Sequence, residues 1–427
     1  MKKYQQLFLA IVSIVSFACL LIYRHEYNKL RYVLEVLSFF GTPGMPATVS
    51  SPCTTTNNNF EKYTLKTMPT WQSIRDSLFL YSAFSEYVDH NLKIKVYAVG
   101  MLNASLDFKC YLWYDQGSKI QEAQFNFSIL ALKNQNSANF ENANKNLSGA
   151  FIFQCHAKNN GLKVLGVTVS HQPVNETYQG FIPVISSKLT DPQKNSTGIC
   201  IMPGQVSMFN ESNFFEFIIF HSIIGINKYV VYDNVLFNRL SSNTLQNLKK
   251  NVEVIILPWN YPYSNEKKLM DIVAEQDCLS RFRGVFENII ILDWNKFLVP
   301  HYILNFSKII NELDIDKKSN KFLFSTQLFC LEYEDNENFN AWTPLIFRKT
   351  MYSLPKIDIQ VPLYKPHIRS NQIYRVRRNM VSVHQYLNCQ GLKLKTGSKN
   401  YKQNDTTVFN YQEFLKDVNT FNKKKNL

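Results

Sequence analysis

Asp293, Asn295 and Lys296 follow directly on an apolar run, residues 289–292, and offer a carboxylate, an amide and an ammonium group. A run this short and apolar predicts a strand that is buried on both faces, as in a parallel sheet covered by helices. Because ligands of open α/β sheets bind beyond the carboxyl ends of the strands, Asp293 lies where such a protein places its chemistry. The alternative is a carboxylate that only ends the strand and begins a turn.

Other polar residues stand close to further predicted strand ends: Asp233, Glu332, Asp335 and His384. A carboxylate can accept the proton of an attacking hydroxyl group, and a neutral imidazole can bind a metal ion. Each residue also has a structural interpretation. Asp233 precedes an asparagine, a pair typical of turns. Glu332 and Asp335 fit an exposed acidic loop, and a single histidine after a Val-x-Val strand is commonly structural.

The elements that position these residues alternate between helix and strand from residue 199 onward. The first helix is predicted to begin with Asn213 as its cap, with the Glu216 carboxylate reaching back, and to end at Gly225. The later elements are strand 228–233, helix 235–249, strand 252–258, helix 265–283, strand 289–292, helix 302–313 and strand 321–325. This alternation predicts right-handed crossovers and an α/β fold, a mostly parallel sheet with flanking helices.

Residues 79–184 show a different pattern, in which short runs alternate polar and apolar residues between turn signals. This pattern predicts an antiparallel, β-rich domain. No residue in these runs indicates a reaction, so a scaffold role is the expectation for this part of the chain.

The formal net charge of +14 suits nucleic acid, a membrane surface or an anionic small ligand. The basic residues are spread along the chain and no nucleic-acid-binding motif is present, so nucleic acid is not an expected partner. The densest basic cluster, residues 423–425, lies in the terminal tail and fits a solvated segment.

The amino terminus carries an uncharged run of 17 residues, 7–23, between Lys3 and Arg24. This length is at the short limit for a bilayer span. A cleaved signal peptide is the rival interpretation, and it would leave a secreted, β-rich binding protein. No small-residue cleavage site follows the run, which favours a retained signal anchor. Residues 41–60 are rich in Gly, Pro, Ser, Thr and Asn, which is typical of a flexible stem.

Cysteines and glycosylation sequons bear on the compartment of the chain. Seven cysteines lie outside the apolar run, widely spaced and without a CxxC pattern, so a zinc site is not expected. Dispersed disulfides fit a secretory compartment, although buried cytosolic thiols would give the same pattern. Asn-x-Ser/Thr sequons occur at Asn103, Asn126, Asn146, Asn175, Asn195, Asn210, Asn305 and Asn404.

An ordered series of motifs resembles glycosyltransferase family 92. Residues 217–234 resemble the family's opening helix, which ends in Gly, and its strand, which ends in Tyr-Asp-Asn. Residues 275–278, Glu-Gln-Asp-Cys, look like the family's Gln…Asp-Cys helix. The sequence from Asp293 to Pro300 stands where the family carries Asp-x-Asp-Glu-Phe, and residues 381–384 look like its late Val-His element. Upstream, residues 81–84 and 110–114 also look like the family's amino-terminal region.

The resemblance implies a single-pass, stem-tethered enzyme of the Golgi type with a GT-A catalytic fold. Such an enzyme transfers a hexose, galactose in this family, from a nucleotide-sugar donor such as UDP-galactose to a glycan acceptor. The implied boundaries are a signal anchor (1–23), a stem (24–60), a β-rich domain (61–190), a GT-A-like domain (191–400) and a basic tail (401–427).

The resemblance also implies roles for particular residues. Asp233 and Asn234 would contact the donor, and Asp277 would face either an acceptor hydroxyl or a helix surface. One carboxylate of the acidic cluster Glu332, Glu334 and Asp335 would accept the proton of the acceptor. The family's Asp-x-Asp holds a divalent cation, usually Mn²⁺, against the donor diphosphate, and hard oxygen ligands suit that ion.

Two positions depart from this pattern, because Asn295 replaces the second acidic residue and Lys296 replaces the following glutamate. The loss of carboxylates lowers the expected metal affinity. Three alternatives follow. Asp293, Asn295 and His384 hold a weakly bound Mn²⁺; or Lys296 faces the donor diphosphate as a fixed charge; or catalysis is lost and the chain is a pseudoenzyme that binds a glycan or another partner.

Overall fold

The alternating runs of the amino-terminal half form eight strands that belong to one sheet. The strands are β1 (Gln72–Arg75), β2 (Leu78–Val88), β3 (Asn91–Asn103), β4 (Lys109–Tyr114), β5 (Ile120–Leu132), β6 (Asn146–Lys158), β7 (Val164–Ser170) and β8 (Ile182–Ser186). Their order is β1-β2-β3-β6-β5-β4-β7-β8, and β8 also pairs with β2, so the sheet closes on itself. A disulfide between Cys110 and Cys155 joins β4 to β6.

The computed structural model describes residues 70–75, 77–88, 91–103, 107–115, 120–133, 146–158, 161–174, 181–186, 192–203, 211–233, 252–263, 266–302, 305–313, 318–340, 343–368, 370–392, 394 and 402–411. All of them belong to one compact unit, Lys66–Leu427. The predicted anchor, stem, helix 235–249 and most of the basic tail lie outside the described residues. Among the described residues, no helix is both long enough and apolar enough to cross a bilayer.

Strands and helices alternate at the start of the carboxyl-terminal half. The elements are β9 (Gln193–Ile201), α1 (Glu211–Ile223), β10 (Lys228–Tyr232), β11 (Glu253–Leu257), α2 (Lys267–Arg281), β12 (Phe286–Leu292), β13 (Lys296–Pro300), α3 (Phe306–Leu313), β14 (Ser319–Cys330), α4 (Leu345–Arg348), β15 (Met351–Tyr352), β16 (Gln360–Tyr364), β17 (Gln372–Arg375), β18 (Val381–Leu387), β19 (Gln403–Asn404) and a 3₁₀ helix (Thr407–Asn410). Their apolar side chains form one core that includes Phe217, Ile290, Phe322 and Val383.

The second large sheet has the order β11-β10-β9-β12-β16-β14-β18-β13, and β17 pairs with β14. The pairs β11–β10, β10–β9 and β9–β12 are parallel. Beyond β12 the sheet is mixed, because β16 lies antiparallel to both β12 and β14, and β13 lies antiparallel to β18. Strand β14 pairs in parallel with β17 and β18. The prediction of a mostly parallel sheet is therefore correct for the first four strands and correct in part for the rest.

The predicted cap of the first helix is wrong. Helix α1 begins at Glu211, so Asn213 lies inside the first turn of the helix and is not its amino-terminal cap. The Glu216 carboxylate does not reach back along the helix. It accepts a hydrogen bond from the backbone N–H of Leu345, 129 residues away along the chain, at 3.2 Å.

A buried carboxylate, Asp277 on α2, connects the β-rich sheet to the second sheet. Its Oδ1 accepts hydrogen bonds from Ser82 Oγ on β2 at 2.5 Å and from Arg281 Nη2 at 2.7 Å. Its Oδ2 accepts hydrogen bonds from Tyr232 Oη on β10 at 2.7 Å and from Arg281 Nε at 2.9 Å. Asp277 is 0 % exposed, so its oxygens are occupied by protein groups and closed to an acceptor. This corrects the expectation that Asp277 faces an acceptor hydroxyl.

Asp277→Ala is expected to lower the free energy of unfolding by about 3–5 kcal/mol, because it leaves the buried Arg281 guanidinium without its counter-charge. The matched control is Asp358→Ala, which breaks the exposed ion pair with Arg378, 3.3 Å long. Exposed pairs contribute about 0–1 kcal/mol, so the control is expected to unfold close to the wild type. Urea unfolding followed by circular dichroism measures both changes, and equal losses in the two variants would contradict the role given to Asp277.

Candidate active site

The carboxyl ends of four parallel strands meet at one edge of the second sheet, here called the carboxyl edge (Ile201, Tyr232, Leu257 and Leu292). The chain moves outward from β9 to β10 and β11 and then returns to the other side of β9 as β12. Ligands of open α/β sheets bind at the point where the strand order reverses in this way. That point lies between β9 and β12, and Asp293 is the first residue after β12.

Asp233 and Asp293 both lie at the carboxyl edge. Val231 on β10 and Leu292 on β12 are each in register with Ile201 on β9. Asp233 therefore stands two residues beyond this row and Asp293 stands one residue beyond it. Two strand spacings separate them, which amounts to about 10 Å. A ligand of the size of a nucleoside diphosphate can contact both positions.

A tight turn connects β12 to β13 and carries Asp293 and Lys296. The backbone N–H of Lys296 donates to the backbone carbonyl of Asp293 at 3.0 Å. The Lys296 Nζ lies 2.7 Å from Asp293 Oδ2, and the two side chains are 17 % and 15 % exposed. The position at which the family carries acidic residues thus holds a partly buried ion pair with no net charge.

The residues between the members of this ion pair are held in place by packing and hydrogen bonds. The Trp294 ring lies edge-on against Phe214 and Phe217 of α1, with ring centres 4.8 and 5.3 Å apart. Asn295 Nδ2 donates to the backbone carbonyl of Tyr386 at 3.0 Å, and Tyr386 N–H donates back to the Asn295 carbonyl at 2.9 Å. The backbone of the turn is therefore fixed from both sides.

His384 lies on the opposite face of the sheet from Lys296. On the paired strands β13 and β18, Lys296 is in register with Gln385 and Phe297 with His384. Because successive side chains of a strand point to opposite faces, the His384 ring points away from the face that carries Lys296.

The His384 side chain is fully buried and surrounded by protein groups. Its ring stacks on Phe329 with centres 4.4 Å apart, and its Nε2 lies 3.0 Å from Ser382 Oγ and 3.5 Å from Asp405 Oδ2. Burial lowers the pKa of His384, although the Asp405 carboxylate raises it in part. These contacts assign His384 to the core of the sheet.

The residues at Asp293 do not fit the predicted divalent cation. The Asp293 carboxylate already holds an ammonium group, and the predicted third ligand, His384, belongs to the other face. Within the described ranges, the only group of three His, Cys, Asp or Glu ligands close enough for one ion is Cys330, Glu332 and Cys389. The two sulfurs of this group are joined in a disulfide and cannot act as thiolate ligands. The prediction of a metal held by Asp293, Asn295 and His384 is corrected accordingly.

The acidic loop that follows β14 lies at the same edge as the turn. Strand β14 runs parallel to β12, since both are antiparallel to β16. Phe329 of β14 is in register with Tyr386, which pairs with Asn295 on its other side. The loop therefore begins about 10 Å, or two strand spacings, from the turn.

Glu332 and Asp335 have different surroundings within this loop. Glu332 is exposed, and the backbone N–H of Cys389 donates to its two oxygens at 2.9 and 3.2 Å. Asp335 accepts Arg348 Nη1 at 2.6 Å and Lys349 Nζ at 2.7 Å. Partial burial would raise the pKa of Asp335, but hydrogen bonds from Lys349 and Arg348 lower it below its ordinary value.

The remaining predicted site residues are Asp233, Asn234 and Asp277. Asp233 is 6 % exposed, and its backbone N–H donates to the carbonyl of Leu257 at 3.1 Å. Asn234 lies outside the described residues, and Asp277 belongs to the buried contact between the sheets.

Glu216 is a residue of this region whose role the sequence pattern missed. It follows Phe214 by two residues on α1 and precedes Phe217, and it is 9 % exposed. Burial raises its pKa to about 7, against the opposing effects of the Leu345 N–H and the Arg348 charge. A charged residue in the middle of the apolar run from Phe214 to Phe220 was the signal that could have indicated a buried carboxylate.

Comparison with known proteins defines the class of the chain. The family model for glycosyltransferase family 92 matches residues 196–423, which include the whole second sheet apart from the start of β9. The chain belongs to glycosyltransferase family 92 and is a glycosyltransferase. No curated protein matches it.

Two solved structures show a distant similarity. UDP-glucose pyrophosphorylase complexed with UDP-glucose is 8 % identical, with a TM-score of 0.23 over 54 % of this chain and 99 % of that chain. HddC from Yersinia pseudotuberculosis complexed with GMP-PN is 8 % identical, with a TM-score of 0.24 over 53 % of this chain and 99 % of that chain. TM-scores this low do not define a common fold.

Glu216→Gln is expected to stabilise the protein at pH 8 but not at pH 5. The pKa of Glu216 in the folded state, about 7, exceeds the ordinary value of 4.5, so the folded state binds the extra proton between these values. Stability is therefore lost as the pH rises through this window, and the loss reaches about 2–3 kcal/mol. Thermal melts from pH 5 to pH 8 measure the difference. Glu312→Gln on the exposed face of α3 is the control, and a parallel pH dependence of all three proteins would contradict the prediction.

Proposed function

We propose that this glycosyltransferase moves a hexose, galactose, from a UDP-sugar donor to a hydroxyl group of a glycan acceptor. The observation that carries the proposal is the Asp293–Lys296 turn, which stands at the carboxyl edge where the strand order of a family 92 domain reverses. In sheets of this kind that crevice is where nucleotides bind. The donor diphosphate faces Lys296, and Asp233 lies on the nucleoside side.

Glu332 is the proposed proton acceptor of the reaction. The acceptor hydroxyl oxygen attacks the anomeric carbon of the donor, and the bond from that carbon to the diphosphate oxygen breaks with its electron pair on the oxygen. The hydroxyl proton passes to the Glu332 carboxylate. Glu332 is the better candidate because it is exposed at the edge, whereas Asp335 is neutralised by Arg348 and Lys349.

The proposed location is a luminal one, behind an amino-terminal signal anchor at residues 1–23 in a Golgi-type membrane. Three disulfides support an oxidising compartment: Cys110–Cys155, Cys200–Cys278 and Cys330–Cys389. Sequon asparagines that are exposed in the described residues support the same location: Asn126, Asn195, Asn305 and Asn404. These side chains are accessible to a glycosylating enzyme.

A transfer assay with the full-length chain in detergent tests this function. UDP-galactose is incubated with a panel of glycans, and both UDP release and the mass of the glycan product are measured. Transfer of one hexose with stoichiometric release of UDP is expected, and UDP-glucose serves as the comparison donor. Glycan binding without product, over the whole panel of nucleotide sugars, would overturn the proposal in favour of a non-catalytic binding protein.

Glu332→Gln is expected to lower kcat by about 10²–10⁴-fold, because the amide cannot accept the acceptor proton. The KM for the donor is expected to stay close to that of the wild type, since the loop that carries Glu332 begins about 10 Å from the turn that carries Lys296. Asp335→Asn is the matched control in the same loop and is expected to keep most of kcat. Initial-rate kinetics distinguish the two, and a larger loss in Asp335→Asn would reverse the assignment.

A further inference from the structure

The Asp293–Lys296 ion pair bears on which positive group neutralises the donor diphosphate in this transferase. A diphosphate leaving group needs positive charge beside it, and a divalent cation is one way to supply that charge. Here Asp293 already holds an ammonium group at 2.7 Å, and Asn295 contributes no charge. A divalent cation at Asp293 would have to displace Lys296 or sit against it, and like charges at that distance repel strongly.

The Lys296 ammonium group lies where it can supply the positive charge that a divalent cation would otherwise supply. Lys296 is the first residue of β13, and its backbone is fixed by the register with Gln385 and by the turn hydrogen bond to Asp293. Its side chain is 17 % exposed, so it retains a path to a ligand at the carboxyl edge. A lysine ammonium binds phosphate as a compact point charge with three N–H donors.

The surroundings of Asp293 and His384 oppose a metal-dependent arrangement. The Asn295 amide donates to the Tyr386 carbonyl, and the His384 ring stacks on Phe329 on the face away from Lys296. The Oδ1 of Asn295 is buried without a hydrogen-bond partner among the described residues, so Asn295 itself does not oppose a metal, but a metal shared with His384 would need that ring to leave its buried contacts. The ammonium group needs only to turn from one oxygen to another.

We infer that Lys296, oriented by Asp293, is the cation that binds the donor diphosphate, so that this enzyme binds its donor and transfers the sugar without a divalent metal ion. The inference rests on the proposed function. In the transfer step, the Lys296 ammonium pairs with the diphosphate oxygen that receives the electron pair of the broken bond. Asp293 acts as a positioning residue, because it holds the ammonium group at the edge before the donor arrives.

Titration calorimetry of the full-length chain with UDP tests the inference, first with EDTA and then with Mn²⁺. The Kd for UDP is expected to agree within about threefold in the two conditions, whereas removal of Lys296 in Lys296→Met is expected to weaken binding by about 10- to 100-fold. Lys308→Met is the matched control. Lys308 is an exposed lysine on α3. This helix contacts β9 through Ser307 and Asn195, at the amino-terminal end of the strand and therefore away from the carboxyl edge. The control variant is expected to bind UDP as the wild type does.

Two further variants separate a fixed charge from a metal site. Asp293→Asn removes the carboxylate that orients the Lys296 ammonium group, so UDP is expected to bind more weakly, by the same factor in EDTA and in Mn²⁺. A metal ligand at Asp293 would lose affinity only in the presence of Mn²⁺, and a residue that does not orient Lys296 would leave the Kd unchanged. The double variant Asn295→Asp with Lys296→Glu is expected to make UDP binding dependent on Mn²⁺.

The possible outcomes keep this inference distinct from the proposed function. If wild-type UDP binding is abolished by EDTA and restored by Mn²⁺, the metal-free inference is wrong while a UDP-sugar transferase remains. If UDP does not bind in either condition, although thermal melts show a folded protein, the donor proposal itself is wrong.

Discussion

The parallel pairing of β9 with both β10 and β12 is the constraint on which the rest of the site depends. It places Ile201 beside Val231 and Leu292 in one row, so the strands end together at one edge. In this arrangement the backbone of Gly198 on β9 lies close to the ring of Phe286 on β12. A Cβ atom at Gly198 would lie 2.3 Å from Phe286 Cδ2, so the strand can lie under that ring only with glycine at this position.

The same central strand is tied to the layer that covers it. A disulfide joins Cys200 of β9 to Cys278 of α2, and the neighbouring Asp277 carries the hydrogen bonds to Tyr232 and Ser82. One turn of α2 therefore connects the central strand, its neighbour β10 and the β-rich sheet. A carboxylate that resembles a catalytic residue in the sequence acts instead as the polar centre of this contact, because burial with four hydrogen bonds leaves it no free oxygen.

Several elements follow directly from the sequence, and others do not. Helix α2 and strands β10, β11 and β12 lie within a few residues of their predicted positions, because their apolar periods and end signals are local. The antiparallel insertion of β16 and the true start of α1 were missed. Both depend on distant partners, as when the Glu216 carboxylate finds the Leu345 N–H rather than its own helix.

The sequence by itself determined the order of the motifs, the apolar strand that ends at Asp293, and the replacement of acidic residues by Asn295 and Lys296. Only the tertiary structure decided that Lys296 pairs with Asp293 and that His384 belongs to the opposite face. The reason is physical. Periodicity and turn chemistry are properties of neighbouring residues, whereas the face and the partner of a side chain are set by strand register between segments that lie far apart in the chain.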